Sequence, residues 1–376
     1  MPARSIPVLR PKLPPAERIT PWLSRIDQSG WYSNFGPLEA LLRSRLGAMA
    51  GLDGERVGLF SSGASALAVA LRAQVGKAEG LCLMPSWTHV GTASAATAAG
   101  LQPYFLDCDP ETWAIEPAAA LSHAGRAGVR AVVAVAPFGA ALDYAAWERF
   151  SRQTSIPVAI DGAAGFDQYV NFGEAVPWGR TPVMVSLHAT KVFGVGEGGA
   201  LLSADAGLIQ RAQQLSNFGI WGDQPGEYPF GNHKLSEYAA AVGLAALELW
   251  PERRRVLAEL QARMKTGLDR INVEPAPGFG GAFVASTCMV RAPGRTAAQL
   301  ERLFAERNIG VRRWWRDGLH ALPDFADHGR DNLANTRRLA QDFLGVPFYP
   351  DLEDAALDAV LDVLNHAARS PAKAQG

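Results

Sequence analysis

Pro182-Val183-Met184-Val185-Ser186-Leu187-His188-Ala189-Thr190-Lys191-Val192-Phe193-Gly194-Val195-Gly196-Glu197-Gly198-Gly199-Ala200-Leu201-Leu202-Ser203 is the stretch on which the fold turns. Its first six residues read as a buried strand, its last five as another, and the glycines between them as a turn. Lys191 stands where the first strand has ended, so its amine can reach a cleft at the sheet edge. Gly194, Gly196 and Gly199 also satisfy G-x-G-x-x-G after a strand, a pattern that suggests a dinucleotide site. That fingerprint needs a helix to start at its last glycine, and the residues after Gly199 read as strand. The nicotinamide reading is therefore set aside.

Outward from this stretch, three further segments bring chemistry to one edge. Ser61-Ser62-Gly63-Ala64-Ser65-Ala66-Leu67 follows the apolar run Val57 to Phe60 and opens a helical pattern. Small residues there leave backbone N–H groups and a positive dipole end for a phosphate dianion, with Ser62 or Ser65 adding a hydroxyl. Ser62 can equally be an ordinary N-cap. Ile156 to Ile160 reads as a buried parallel strand ending in Asp161, whose carboxylate can hold a pyridine nitrogen protonated or cap a helix. Leu83 to His89 runs from a strand into the small-residue helix Val90 to Ala99, placing Trp87 and His89 near the same edge, where a planar ring can stack on a cofactor. An amine, an anion cradle, a carboxylate and a flat ring are together what pyridoxal phosphate requires of its protein. Lys191 would form the Schiff base, and its freed amine, with basicity lowered by burial, would act as base.

Along the chain, strands and helices alternate, which predicts a mostly parallel sheet covered on both faces. Candidate strands are Gly80 to Pro85, Pro103 to Asp107, Arg130 to Ala136, Pro157 to Asp161, Val183 to Leu187 and Gly199 to Ser203. A helix is expected from Asp205 to Asn217, an irregular loop over Gly219 to Gly231, and an Ala-rich helix from about Ser236 past Pro251 to Leu268. Pro275, Pro277 and Gly278 to Gly281 read as a turn opening an antiparallel strand, Ala282 to Val290, in an Arg-rich second domain. Ser370 to Gly376 reads as a disordered tail.

With 376 residues, 48% hydrophobic and 19% charged, the chain can bury a large core and is expected to hold one larger and one smaller domain. A net charge of -1 gives no electrostatic case for nucleic acid or membrane binding. Cys82, Cys108 and Cys288 have no zinc or disulfide spacing and read as buried thiols of a cytoplasmic protein, with no metal site. The N-terminus carries no signal-peptide pattern.

Taken in order, these segments resemble the DegT/DnrJ/EryC1/StrS family of sugar aminotransferases. The likeness runs from Ile6-Pro7-Val8-Leu9-Arg10-Pro11 and Ser29-Gly30-Trp31-Tyr32-Ser33-Asn34-Phe35-Gly36-Pro37-Leu38-Glu39 through Ser62 to Leu67, Pro85 to Thr92 and Gly100 to Asp107. It continues with Asp161 to Ala164, Ser186 to Lys191, Gly196 to Gly199, Gly231 to Ala240 and Leu344 to Pro350.

The resemblance implies the α/β, fold-type I aminotransferase architecture: a large domain (residues 1–250, with a substrate-lining segment 1–38) built on a mostly parallel seven-stranded sheet, and a smaller C-terminal α+β domain (251–376). It implies pyridoxal phosphate held by Gly63, Ala64, Ser65, His89, Asp161, Ala164, Ser186, His188, Lys191 and Asn232, with Lys191 and Asp161 catalytic. Trp31, Tyr32, Ser33 and Asn34 would line the sugar pocket, and His188, Arg312, Arg313 and Trp314 would meet the donor carboxylate or a nucleotide, with one of the two arginines on the surface instead. The implied reaction moves an amino group from glutamate to a nucleotide-linked keto sugar in a homodimer with shared sites. Asn232 would act in the neighbouring subunit, or else cap the following helix. A keto-cyclitol acceptor and a non-catalytic regulatory role are the alternatives. Three positions bear on the choice: Ala64 stands where most members have Thr, Gly165 follows Ala164 where many carry Gln, and Lys191 is retained where the dehydratase relatives have His.

Overall fold

The structure, a computed structural model, describes residues 5–220 and 230–369. Two helices, α1 (Ala16–Ser29) and α2 (Pro37–Met49), precede β1 (Val57–Phe60), α3 (Gly63–Val75), β2 (Gly80–Pro85), α4 (Val90–Ala98), β3 (Leu101–Leu106), α5 (Pro117–His123), β4 (Val129–Val135), α6 (Tyr144–Thr154), β5 (Val158–Asp161), β6 (Val183–Ser186), β7 (Gly199–Leu202) and α7 (Ala206–Ser216). Then come α8 (Glu237–Arg270), β8 (Glu274–Pro275), β9 (Cys288–Arg291), α9 (Ala297–Glu306), α10 (Ala334–Asp342), β10 (Leu344–Val346) and α11 (Asp354–Arg369).

The seven strands of the first sheet lie in the order β1-β7-β6-β5-β4-β2-β3. Only β7 runs against its neighbours, so the expected mostly parallel sheet is what forms. Alternate residues of one strand feed two different cores, as the two-residue period of a strand requires. Val132, Ala134, Val158, Ile160, Val183 and Val185 join the core shared with α2 and α8, whereas Ala131, Val133, Ala159 and Met184 join the core under α3, α4 and α7. Burial on both faces explains why these strands read as unbroken apolar runs. Because β1, β2, β4, β5 and β6 run the same way, Ser61–Ala64, Ser86–His89, Asp161 and Ser186–Lys191 emerge at one edge.

The long helix α8 passes through residue 250 without a break, carrying Pro251 inside it. The second sheet is small and antiparallel, in the order β10-β9-β8. The expected strand from Ala282 forms only from Cys288. The reason is a competing set of hydrogen bonds: Asp167 accepts from Val284 N–H, Gln261 binds both Phe283 O and Ala285 N–H, and Arg254 donates to Ala282 O. These side chains satisfy the backbone that a partner strand would otherwise take. The three cysteines are buried and free, as expected, and burial pushes the Cys82 and Cys108 thiols up to about 12. Among the described residues no helix is long and apolar enough to cross a membrane. Most of the loop read over Gly219 to Gly231, and the tail from Ser370, lie outside the described residues.

Candidate active site

Ser62 starts α3 in an extended conformation, and its hydroxyl accepts from Ser65 N–H at 3.1 Å. It is thus an N-cap, and the first amides of α3 remain without carbonyl partners in their own helix. Ser61 and Ser62 hydroxyls both reach Ser65 Oγ, at 3.2 and 3.0 Å. The helix start is pressed onto two strands. A Cβ on Gly63 would lie 3.0 Å from Met184 Sδ and 3.1 Å from Ser186 Cβ, and one on Gly199 would fall 2.4 Å from Ser62 O. Only glycines let β6 and β7 approach the cradle this closely.

Asp161 is 5% exposed at the end of β5. Its Oδ2 accepts from Thr92 Oγ1 at 2.7 Å, its Oδ1 accepts from Ala163 N–H at 3.1 Å, and Thr92 is in turn 2.8 Å from Thr88 Oγ1. Burial raises its carboxyl above the usual range, opposed by those two hydrogen bonds and by the charges of Lys191 and His89. Lys191 moves the other way: burial lowers its amine, and Asp161 opposes this. The lysine turn is itself fixed, by Leu187 N–H to Gly198 O (2.9 Å), Ala189 N–H to Gly196 O (2.8 Å) and Lys191 N–H to His188 O (2.9 Å).

His89 caps α4, its Nδ1 accepting from Gly91 N–H at 3.0 Å. Burial, then Lys191, lowers its pKa, which favours the neutral ring, a form suited to stacking. Trp87 is not its companion. It is 1% exposed and meets Trp315 edge-on at 5.4 Å, inside an aromatic cluster with Phe138 and Trp113. His188 is tied to its own turn, with Nδ1 2.8 Å from Thr190 Oγ1 and Nε2 3.6 Å from Glu197.

The candidates from the C-terminal part of the chain divide. Arg313 turns away, pairing with Asp317 and Ala340 O, both at 3.4 Å. Trp314 lies against Gly345 and serves as a platform for Arg312, whose guanidinium sits 4.3 Å from the ring centre. The exposed Arg312 is the one whose charge acts on His89. Asn232 is exposed and bridges to Asn217; Ser236, not Asn232, caps α8. Trp31 and Tyr32 are half exposed, Tyr32 stacking on Tyr238.

Counted from Asp161, the family's Asp-Ala-Ala-Gln pattern places the Gln at Ala164, not at Gly165. Gly165 has its own cause: a Cβ there would lie 2.7 Å from the buried Tyr169 ring. Sequence reasoning missed Thr92, which orients Asp161 from a neighbouring helix. Its place four residues after Thr88, on the face of α4 turned to β5, was the available signal.

The donor set fits pyridoxal phosphate. A helix start with three serines suits a phosphate, a buried carboxylate suits a cationic ring nitrogen, and a neutral imidazole suits a ring face. A groove of about 800 Å³ lined by Asp269, Glu274, Arg291 and Arg295 lies on the C-terminal part and holds none of these groups.

The sheet, the edge and the lysine define a transaminase of the fold-type I class. The chain belongs to the DegT/DnrJ/EryC1/StrS aminotransferase family, whose sequence profile matches residues 16–365. It is 33% identical over 360 residues to protein Rv3402c of Mycobacterium tuberculosis, covering 92% of this chain and 85% of that one. It is 28% identical over 368 residues to the dTDP-4-amino-4,6-dideoxy-D-glucose transaminase of Shigella dysenteriae, covering 95% and 97%. Among solved structures, DesI crystallised with its TDP-sugar product superposes with a TM-score of 0.84 at 25% identity, covering 97% of this chain and 93% of that one. The chain is a pyridoxal-phosphate-dependent transaminase.

Proposed function

We propose that this transaminase moves an amino group from L-glutamate to a nucleotide-linked keto sugar, in a homodimer whose two sites are shared. The observation that carries the reading is the convergence of Lys191, Asp161, His89 and the start of α3 on one sheet edge. The sugar class is supported by the relatives named for dTDP-sugar and TDP-sugar chemistry.

When bound, pyridoxal phosphate withdraws electrons from the carbon whose proton is exchanged. The chain's own residues do the rest. The amides of Gly63 and Ala64 with Ser65 and Ser186 would hold the phosphate, and Ala64 leaves that task to backbone and serine donors. Asp161, its orientation set by Thr92 and Ala163, would keep the ring nitrogen protonated. Lys191 Nζ, its basicity depressed by burial, would link the aldehyde and then take and return the exchanged proton. Arg312, stacked on Trp314, offers a cation to a donor carboxylate or a nucleotide phosphate.

The dimer is supported by what stays uncovered beside Asn232. Phe218 is 50% exposed and Ile220 41%, their amides donating to Gly231 O and Asn217 O on either side of the strand-like pair Asn217–Asn232, and Trp31, Tyr32 and Tyr238 are equally bare. Apolar surface of this kind marks an association face. Incubating the protein with pyridoxal phosphate, L-glutamate and dTDP-4-keto-6-deoxyglucose or other nucleotide-linked keto sugars tests the reading by mass spectrometry. An aminated sugar nucleotide is expected; 2-oxoglutarate formed once per site, with no sugar aminated, would contradict the acceptor assignment.

A further inference from the structure

Three carboxylates buried to 1% exposure take no part in the chemistry above: Asp167, which holds the Val284 amide, Glu39 in α2, and Glu237 at the start of α8. Glu237 accepts two hydrogen bonds from a segment about two hundred residues away: Leu38 N–H at 2.8 Å on Oε2 and Glu39 N–H at 2.8 Å on Oε1. Its own N–H donates to Tyr32 O at 3.1 Å, and the next side chain, Tyr238, stacks on Tyr32. We infer that Glu237 is the positioning residue that sets the Trp31–Asn34 turn for the acceptor substrate, an inference that rests on the proposed function.

The turn needs an external holder. Asn34 (φ 62°) and Phe35 (φ 59°) both sit in the left-handed region, which costs energy for residues with a Cβ. Gly36, the N-cap of α2, has no side chain to cap the helix. Glu237 supplies that cap from outside, and its charge suits the positive end of the helix. Both carboxylate oxygens are used, one for each amide. A Gln there would keep the shape but turn an NH2 donor onto one of the two N–H groups. Gly36 completes the fit: a Cβ there would lie 2.6 Å from the Glu237 carboxyl carbon and 2.4 Å from Trp31 Cδ1. The segment leading into Glu237 also touches the phosphate cradle, His233 O accepting from Ser61 N–H at 2.7 Å. One stretch of chain therefore registers the turn against the cofactor end of the site.

The test uses Glu237→Gln and, should that variant misfold, Gly36→Ala. Gly36 has φ -75°, so the backbone allows alanine, and its Cβ would press on the Trp31 ring and the Glu237 carboxyl and displace one from the other. With dTDP-4-keto-6-deoxyglucose as acceptor, or whichever nucleotide-linked keto sugar the wild type aminates, each variant should raise acceptor KM roughly tenfold. The half-reaction with L-glutamate, followed by absorbance, should stay within about twofold. Hydrogen exchange at Leu38 and Glu39 should quicken roughly tenfold in Glu237→Gln, read without any substrate. Equal losses in both half-reactions, or unchanged exchange at those amides, would overturn the inference. A wild type that aminates no keto sugar counts against the proposed function instead, and the exchange measurement still decides whether Glu237 holds the turn.

Discussion

Asp161 is oriented before any ligand arrives, by Thr92 on one oxygen and Ala163 on the other, and burial makes its charge costly unless a cation faces it. A protonated ring nitrogen of the cofactor would supply that cation. Asp161→Ala should therefore lower turnover by roughly 10²–10⁴-fold while cofactor affinity falls much less, because the phosphate cradle on α3 is a separate set of donors. Turnover at saturating pyridoxal phosphate measures this, and a near-normal rate would remove Asp161 from the chemistry. Lys191 and Asp161 were legible in the sequence because each follows an apolar strand, and strand ends in a parallel sheet share an edge. Thr92 and the choice between Arg312 and Arg313 were not. Thr92 reaches Asp161 across 69 residues, and which arginine faces the site depends on the pairing of Arg312 with Gly345, a contact that no local pattern records.

Helix α2 carries a buried carboxyl whose ionisation works against the fold. Glu39 is 1% exposed, neither oxygen has a hydrogen-bond partner, and its pKa is pushed up to about 7 by burial and by Glu237, with Arg43, 3.6 Å away, opposing. A carboxyl raised in the folded state binds more protons than in the unfolded chain between its ordinary value of 4.5 and about 7. Its contribution is fully present below 4.5 and is lost as pH rises through 7, a change on the order of 3 kcal/mol. Glu39→Gln mimics the protonated form. The variant's melting temperature relative to wild type should climb between pH 5 and pH 8, and a constant difference across that range would show that Glu39 stays ionised. At this scale the large sheet was readable because both of its faces are buried. The strand expected from Ala282 was not, because Asp167, Gln261 and Arg254 claim its backbone from elsewhere in the fold.

At the scale of the whole molecule the question is which subunit Asn232 serves. Asn232 is exposed, does not cap α8, and borders bare aromatic surface, all of which suits a residue that reaches a neighbouring subunit. Lys191→Ala and Asn232→Ala chains, unfolded together and refolded as mixed dimers, should regain activity, since each heterodimer would hold one site with both residues intact. No gain over the Asn232→Ala parent would mean that Asn232 serves its own subunit. The assembly could not be read from composition or periodicity. It entered only through the family resemblance.

The central claim is that Lys191 is the amine to which the cofactor is linked. Borohydride reduction of the protein loaded with pyridoxal phosphate, followed by proteolysis and peptide mass spectrometry, measures it directly. The label is predicted on the peptide containing Lys191 and is absent from Lys191→Ala. A label on Lys77, Lys234 or any other lysine would contradict the account.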